Sequence, residues 1–319
     1  MKRTGFCFLL LCCWSAWALE KAGFPEVWAY LLKGEETNLT GKERITDLCY
    51  FGIEVGCTGR IKQELPVSNL SSKIGEGVRK HLVVHALSSK GVLYFALSKD
   101  LSTRWGLVSD IIRFSSGYDG VQIDFEDIRP EEKEPFLSFL RLLRKRLDSK
   151  KMLSVAVKAR TRTLNDPFDY EALSEIADKI IVMAYDEHWR TGPPGPVASL
   201  SWCRRVNEHA SKTIPVQKRI MGIPLYGRVW PKESVPSSLR YEKTQEWLRK
   251  YRVSQQRTEE GIPFFEVEQK NSLIIYYEDM ETLCAKLRLY EENKAYGVAF
   301  WRIGQGPVEL WEKIQLSNF

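Results

Sequence analysis

The sequence predicts an α/β protein, a (β/α)8 TIM barrel with a small α+β insertion after the seventh strand. Short apolar runs alternate with amphipathic stretches along the chain, which is the pattern of repeated βα units. After an N-terminal export segment is removed, about 300 residues remain, the usual length of one such barrel. Hydrophobic residues make up 44% of the chain, which is enough to fill a core of that size.

The apolar runs account for eight strands. For the third strand two runs qualify, at residues 81–87 and 92–97. The other expected strands cover residues 27–32, 46–55, 120–126, 153–159, 180–186, 222–228 and 297–301. Parallel strands that alternate with helices in this number close into a barrel.

Helices are expected between these strands, where apolar residues recur at helical spacing. The clearest follows the fourth strand at residues 135–147, where Pro135 lies in the first turn. Further helices are expected at residues 170–177, 200–211 and 280–292, and residues 307–316 are expected to form a closing helix.

The connection after the seventh strand breaks this rhythm. Residues 231–275 are far more than the usual βα loop of about 2–6 residues. Within them, residues 243–252 are expected to be helical, and residues 264–267 with 272–277 are expected to form a hairpin. We therefore predict a small α+β insertion that forms one wall of a cleft.

The N-terminus has the pattern of an export signal. Lys2 and Arg3 precede an apolar run that ends in Ala16-Trp17-Ala18, a small-x-small cleavage site. We expect residues 1–18 to be a cleaved signal peptide and residues 19–319 to be the mature protein, exported to the periplasm, the cell wall or the medium. The run is too short to span a membrane, and no later segment reaches about 18 uninterrupted apolar residues, so no transmembrane segment is expected.

Four of the seven cysteines lie outside the signal segment: Cys49, Cys57, Cys203 and Cys284. Cys49 and Cys57 flank the end of one expected strand and can pair, but four isolated buried thiols explain the composition equally well. No two of these cysteines have Cys-x-x-Cys spacing, and His81 and His85 fall in a strand-like run where packing is the ordinary role. No metal or other cofactor is expected. The net charge of +6 is accompanied by no nucleic-acid-binding motif.

Residues 119–126, Asp-Gly-Val-Gln-Ile-Asp-Phe-Glu, are where we place the chemistry. Side chains alternate between the two faces of a strand, so Gln122, Asp124 and Glu126 lie on one side and the apolar residues between them on the other. Carboxylates on one face are costly unless that face opens into a cleft. Two carboxyls roughly 6.6 Å apart can act on one small group. The alternative is a half-exposed strand with a solvated polar face.

Residues 118–126 resemble the strand-four signature of glycoside hydrolase family 18, an aspartate-rich strand that ends in a catalytic glutamate. Three further segments match the family in the right order. Residues 180–186, with their Met-x-Tyr-Asp, resemble its sixth strand, residues 222–228 its seventh, and residues 297–301 its eighth, which ends in tryptophan. The resemblance covers nearly the whole mature chain and implies the same barrel fold.

The resemblance also implies roles for four residues. Glu126 would be the general acid that protonates the glycosidic oxygen, and later the base that activates water. The substrate's own 2-acetamido carbonyl would attack the anomeric carbon. Asp124 would accept a hydrogen bond from the acetamido N–H and stabilise the positive intermediate. Tyr185 would donate its hydroxyl to the acetamide oxygen, and Trp301 would form the apolar floor under the sugar.

Four further residues complete the expected substrate-binding set: Asp186, Arg228, Gln122 and Asp119. Asp186 and Arg228 are expected to contact sugar hydroxyls. Trp189, in the loop after the sixth strand, is explained equally well by substrate contact and by a structural role.

One departure from the family concerns Gln122, because chitinases of the family usually have aspartate there. Without a neighbouring carboxylate, we expect Asp124 to stay ionised over a wider pH range. Amides at this position occur in the peptidoglycan-acting branch, whose insertion also resembles residues 263–266 and 276–279 here. We therefore expect retaining, substrate-assisted hydrolysis of β-linked N-acetylglucosaminides in peptidoglycan, by a monomer.

Two alternatives stay open. The protein is a chitinase or chito-oligosaccharide hydrolase if the neutral polymer is its substrate. It is a non-catalytic, lectin-like barrel if it binds a glycan without turnover. Family members of that kind usually lack the acid glutamate, whereas Glu126 is present here.

Overall fold

Fifteen strands and six α-helices are present in the described part of the chain, which in this computed structural model comprises residues 21–56, 58–61, 70, 73–86, 97, 101–232, 234–268 and 272–317. The strands are β1 (Ala22–Phe24), β2 (Glu26–Leu32), β3 (Asp47–Glu54), β4 (Arg79–His85), β5 (Gly120–Asp124), β6 (Met152–Lys158), β7 (Lys179–Met183), β8 (Arg219–Pro224), β9 (Tyr226–Pro231), β10 (Ser237–Arg240), β11 (Gln256–Arg257), β12 (Pro263–Val267), β13 (Leu273–Tyr276), β14 (Gly297–Trp301) and β15 (Ile314–Leu316). The helices are α1 (Leu101–Phe114), α2 (Lys133–Arg146), α3 (Tyr170–Ile176), α4 (Leu200–Thr213), α5 (Tyr241–Tyr251) and α6 (Met280–Glu292).

Eight parallel strands close into a barrel in the order β14-β2-β3-β4-β5-β6-β7-β8. The predicted (β/α)8 barrel is therefore confirmed. Of the two candidates for the third strand, residues 81–87 are the better one, since β4 covers Arg79–His85. The other candidate, residues 92–97, lies outside the described residues except for Leu97, as does the predicted signal peptide at residues 1–18.

The predicted closing helix at residues 307–316 is wrong. Residues Val308–Lys313 form a 3-10 helix, and the chain then extends as β15, which pairs in parallel with β1. Ile314 is buried opposite Ala22 in this pair. The backbone groups of β15 thus find their partners in a strand near the other end of the chain, which helical periodicity alone does not reveal.

The insertion after β8 is a five-stranded antiparallel sheet in the order β10-β9-β13-β12-β11. The helix α5 lies between β10 and β11 in the sequence. The hydrophobic core of the insertion includes Val229, Phe265, Ile275 and Tyr277, with Trp247 of α5 packed against it. The expected helix and hairpin are both present. The expected strand at residues 222–228 is instead divided, because β8 ends at Pro224 and β9 starts the insertion sheet.

Cys49, Cys203 and Cys284 are buried free thiols, and Cys57 lies outside the described residues. Cys49 points into the barrel, where its Sγ lies 3.6 Å from Nε2 of Gln122. Cys49 is therefore not part of a disulfide. Among the described residues, no helix has the length and apolar character needed to cross a membrane.

The amino-terminal end of the barrel is closed by buried charges. Asp47 is fully buried and accepts hydrogen bonds from both Nε and Nη2 of Arg79, each at 2.7 Å, while its Oδ1 lies 2.7 Å from Nε2 of His81. Glu26 lies beside them, paired with Arg79 at 2.9 Å and with Lys179 at 3.0 Å. Burial opposes the ionisation of Asp47, but the hydrogen bonds from His81 and Arg79 outweigh it and hold its pKa below the usual value.

Asp47→Ala should lower the free energy of unfolding by about 3 kcal/mol, because it removes the acceptor of the buried His81 ring and of two hydrogen bonds from Arg79. Denaturant unfolding followed by circular dichroism measures this. The matched control is Glu131→Ala, since the pair of Glu131 with Arg129 is exposed at 64% and 45% and should contribute less than about 1 kcal/mol. Equal losses in the two variants would contradict a structural role for the buried cluster.

Candidate active site

A cavity of about 560 Å³ opens at the carboxyl ends of the barrel strands. Five of the eight residues predicted from the sequence line it: Asp124, Glu126, Tyr185, Asp186 and Trp301. They come from the ends of β5, β7 and β14, which are distant in the chain and meet only because the barrel closes. This is the end of a TIM barrel at which active sites lie.

The predicted alternation along β5 is confirmed. Val121 and Ile123 are fully buried in the core between the barrel and its helices, whereas Gln122 and Asp124 face the barrel interior. Gln122 does not line the cavity. It accepts a hydrogen bond from the Tyr30 hydroxyl at 2.6 Å and donates one to Oγ of Ser154 at 3.1 Å, so it supports the site from below rather than contacting a ligand.

Asp124 and Glu126 are desolvated carboxyls that share one cavity. Asp124 is only 3% exposed, and its Oδ1 has no hydrogen-bond partner among the described residues. Burial, followed by the charge of Glu126, raises the pKa of Asp124, and Lys158 partly opposes this. Burial likewise raises the pKa of Glu126, again against Lys158, with added repulsion from Asp127 and Asp186.

The alternative of a half-exposed strand with a solvated polar face does not apply to Asp124, which is buried and faces the cavity. The expectation that Asp124 stays ionised over a wider pH range stays a prediction, because it compares this chain with one that has a carboxylate at position 122. The missing charge at position 122 removes one source of repulsion, while burial and Glu126 together still shift the pKa of Asp124 upward.

Tyr185 follows β7, and its position depends on a glycine in the next strand. A Cβ at Gly222 would lie 2.9 Å from Cε1 of Tyr185 and 2.8 Å from the carbonyl oxygen of Val182, so no other residue fits there without moving the ring. Burial, with the nearby charges of Asp124 and Glu126, raises the pKa of Tyr185 well above its usual value. The Tyr185 hydroxyl is therefore a hydrogen-bond donor.

Asp186 has a left-handed backbone, with φ 63°, which is strained for a residue other than glycine. Its Oδ1 accepts hydrogen bonds from Nη2 of Arg228 at 2.7 Å and from the Tyr226 hydroxyl. Nη1 of Arg228 also donates to the carbonyl oxygen of His188 at 2.8 Å. Arg228 thus holds Asp186 and the following loop in place and does not itself line the cavity.

Trp301 is the last residue of β14. Its ring lies 5.1 Å from that of Tyr30 and 5.2 Å from that of Phe51, measured between ring centroids. These neighbours belong to β2 and β3, the two strands that follow β14 around the barrel. The indole is therefore fixed by packing while it remains part of the cavity wall.

The assignment of Asp119 to the substrate site needs correction. Asp119 immediately precedes β5, so it lies at the amino-terminal end of the barrel, opposite the cavity. It is exposed, and its Oδ2 accepts a hydrogen bond from the backbone N–H of Lys80 at 2.8 Å. An aspartate at a strand start and one at a strand end look alike in a short motif, although the strand separates them.

Several lining residues were not singled out from the sequence: Lys158, Arg160, Glu187, Trp202 and Tyr226. Lys158 is the last residue of β6, so it could have been predicted from the rule that active-site residues of these barrels lie at the carboxyl ends of the strands. Trp189, for which two roles were open, also lines the cavity and is 59% exposed. No group of three or more potential metal ligands occurs among the described residues.

The comparisons with known proteins agree with this geometry. The family model for glycosyl hydrolases family 18 matches residues 89–306, more than half of the chain. The protein belongs to this family.

The relatives include bacterial glycosylases. Glycosylase YvbX of Bacillus subtilis is 30% identical over 209 residues, which is 62% of this chain and 61% of that protein. The cortical fragment-lytic enzyme of Bacillus anthracis is 25% identical over 86% of this chain and 68% of its own. The crystal structure of the spore cortex-lytic enzyme SleL of Bacillus megaterium matches with a TM-score of 0.81 at 26% identity, covering 94% of this chain and 76% of that one.

Glu126→Gln should lower the pKa of Asp124, because it removes the like charge while leaving the burial. The pKa should stay above that of an exposed aspartate, since burial is the larger cause. Titration of the aspartate carboxyl carbons by NMR, with Asp124→Asn to assign the resonance, measures both. An Asp124 carboxyl that titrates identically in wild type and variant would refute the coupling.

Proposed function

We propose that this protein hydrolyses β-linked N-acetylglucosaminides in peptidoglycan, with retention of configuration and with the substrate's acetamido group as the nucleophile. One observation carries the proposal. A buried carboxylate oxygen of Asp124 has no hydrogen-bond partner among the residues that the structure describes, and it lies in a cavity that is also lined by Glu126, Tyr185 and Trp301. An unpaired buried oxygen is costly, and a ligand that donates an N–H to it relieves that cost.

In the first step Glu126 is the general acid. Its raised pKa favours the protonated form, and the proton passes to the bridging glycosidic oxygen as that oxygen leaves the anomeric carbon. The acetamido carbonyl oxygen forms the new bond to the anomeric carbon. In the second step the deprotonated Glu126 takes a proton from water. The water attacks the anomeric carbon from the face that the leaving oxygen left and displaces the acetamido oxygen, so the configuration is retained.

Asp124 and Tyr185 handle the acetamido group. The free oxygen of Asp124 accepts its N–H, and the ionised form of Asp124 stabilises the positive oxazolinium that forms in the first step. The Tyr185 hydroxyl, which stays protonated, donates to the acetamide oxygen and orients it for attack. Trp301 offers an apolar ring against which the C–H face of a sugar can stack.

Two observations favour peptidoglycan over chitin as the proposed substrate. Gln122 is an amide, as in the peptidoglycan-acting branch that the sequence resembles. The relatives named for action on the spore cortex also align over much of the chain. The export signal expected at residues 1–18 is consistent with a substrate outside the cytoplasm.

Wild-type protein should release 4-methylumbelliferone from its N-acetylglucosaminide, and Glu126→Gln should lower kcat by about 10²–10⁴-fold, because the proton donor is lost. Glu131→Gln, the same change at an exposed site, is the matched control. The corresponding glucoside, which has no acetamido group, should not react. Glycan binding without turnover in the wild type would support the lectin-like alternative and reject the enzyme.

Mass spectrometry of the products from purified peptidoglycan and from chitin oligomers decides between the two polymers. N-acetylglucosamine at the new reducing ends of peptidoglycan fragments is expected. Faster cleavage of chitin oligomers than of peptidoglycan would reject the substrate assignment while leaving the mechanism intact.

Gly222→Ala should reduce kcat by roughly 10–10²-fold, because the added Cβ displaces the Tyr185 ring and small misplacements of a reacting group are that costly. The folded structure should persist, as judged by circular dichroism. Gly75→Ala is the control, since a Cβ there meets only Val78 at an ordinary 3.9 Å. Unchanged turnover in Gly222→Ala would show that Tyr185 does not orient the substrate.

A further inference from the structure

Lys158 lies beside the proton donor. It ends β6, the neighbour of β5, and Ile123 of β5 pairs with Val155 in this sheet. If this register is continued three residues further along both strands, position 158 lies alongside position 126. Lys158 and Glu126 line the same cavity, so the ammonium group is available to a ligand that Glu126 contacts.

The other cations around the cavity are already engaged. Nε and Nη2 of Arg160 donate to Asp166 at 2.8 and 2.6 Å, and Arg228 is bound to Asp186. Among the described residues, the one carboxylate within 4.0 Å of the Lys158 ammonium is that of Asp127, at 4.0 Å. The two side chains are 38% and 46% exposed, so this contact is loose and competes with water.

The charge of Lys158 works against the acid step. It lowers the pKa of both Glu126 and Asp124, whereas the first step needs Glu126 to hold its proton. A neutral sugar in the cavity leaves this effect in place. A substrate that brings its own negative charge to Lys158 removes it, because the ammonium group then has a counter-charge on the ligand.

Peptidoglycan carries such a charge close to the bond that is cleaved. It alternates N-acetylglucosamine with N-acetylmuramic acid, and the muramyl residue has a lactyl ether on O3. Cleavage after N-acetylglucosamine makes the muramyl O4 the leaving oxygen, and O3 is on the adjacent carbon. The lactyl arm therefore lies within a few bonds of the atom that Glu126 protonates, on the side away from the sugar over Trp301.

We propose that Lys158 is a specificity-determining residue that binds a carboxylate on the O3 arm of the leaving muramyl residue. The proposal rests on the function proposed above. The carboxylate is that of the free lactyl group, or that of a single amino acid that amidates the lactyl group. Neutral chitin has no equivalent, so Lys158 favours peptidoglycan over chitin as a substrate.

The test compares four tetrasaccharide substrates. Three consist of alternating N-acetylglucosamine and N-acetylmuramic acid, with the lactyl group free, converted to its neutral methylamide, or amidated with L-alanine. The fourth is chitotetraose. Each is assayed with wild type, Lys158→Met, Lys158→Arg and the control Lys145→Met, which removes an exposed lysine of α2 on the outside of the barrel.

Lys158→Met should lower kcat/KM about tenfold for the substrate whose carboxylate Lys158 binds. It should not lower kcat/KM for the methylamide or chitotetraose, because with these neutral substrates it only removes a charge that opposes the protonation of Glu126. Loss with the free lactyl substrate alone identifies the lactyl carboxylate, and loss with the alanyl substrate identifies the peptide carboxylate. Lys158→Arg should retain most of the preference, and Lys145→Met should behave as wild type.

An equal loss on all four substrates would overturn the proposal, because Lys158 would then act on the carboxyl pair and not on the substrate. An unchanged preference in Lys158→Met would overturn it as well. A wild type that turns over none of the four would instead reject the proposed function itself, and the two failures are therefore distinguishable.

Discussion

The site depends on the burial of two carboxyl groups in one cavity. Asp124 is almost completely removed from water and Glu126 partly so, and Oδ1 of Asp124 has no hydrogen-bond partner in the described part of the chain. Desolvated carboxyls of this kind are unfavourable in a folded protein. They persist because β5 is held on both sides by β4 and β6, so the strand cannot turn them outward without breaking the barrel.

The surrounding residues hold the walls of the cavity in place. Gly222 leaves room for Tyr185, and Arg228 holds Asp186 in its left-handed conformation. Glu35 has a comparable role near Trp301. It accepts hydrogen bonds from Nη2 and Nε of Arg302, the residue after Trp301, at 2.7 and 2.8 Å, and one from Arg240 of the insertion sheet at 3.0 Å. One carboxylate thus ties the strand end that carries Trp301 to the insertion sheet.

The fold and the centre of the site follow from local patterns. Alternation along β5 predicted which side Asp124 faces, and motif order predicted the barrel. What the sequence could not supply depends on long-range contacts. The extended β15 takes the place of a predicted helix because β1 offers it a pairing partner. Asp119 lies at the amino-terminal end of β5, away from the cavity, although the strand itself was predicted. The pKa of Asp124 follows from a burial that only the closed barrel creates.

Asp47 and Asp124 show how one barrel interior holds two buried aspartates in opposite states. Asp47 lies at the amino-terminal end, where Arg79 and His81 bond both its oxygens, and its pKa falls below the usual value. Asp124 lies at the other end, where no described residue bonds its Oδ1, and its pKa rises. Both carboxyl groups are desolvated, so burial does not explain why their pKa values shift in opposite directions. The difference is the number of hydrogen-bond donors that the protein supplies to each. A carboxylate whose donors belong to the protein stabilises the fold. One whose donor is missing can accept a hydrogen bond from a ligand, and Asp124 lies in the cavity where the proposed function places the substrate.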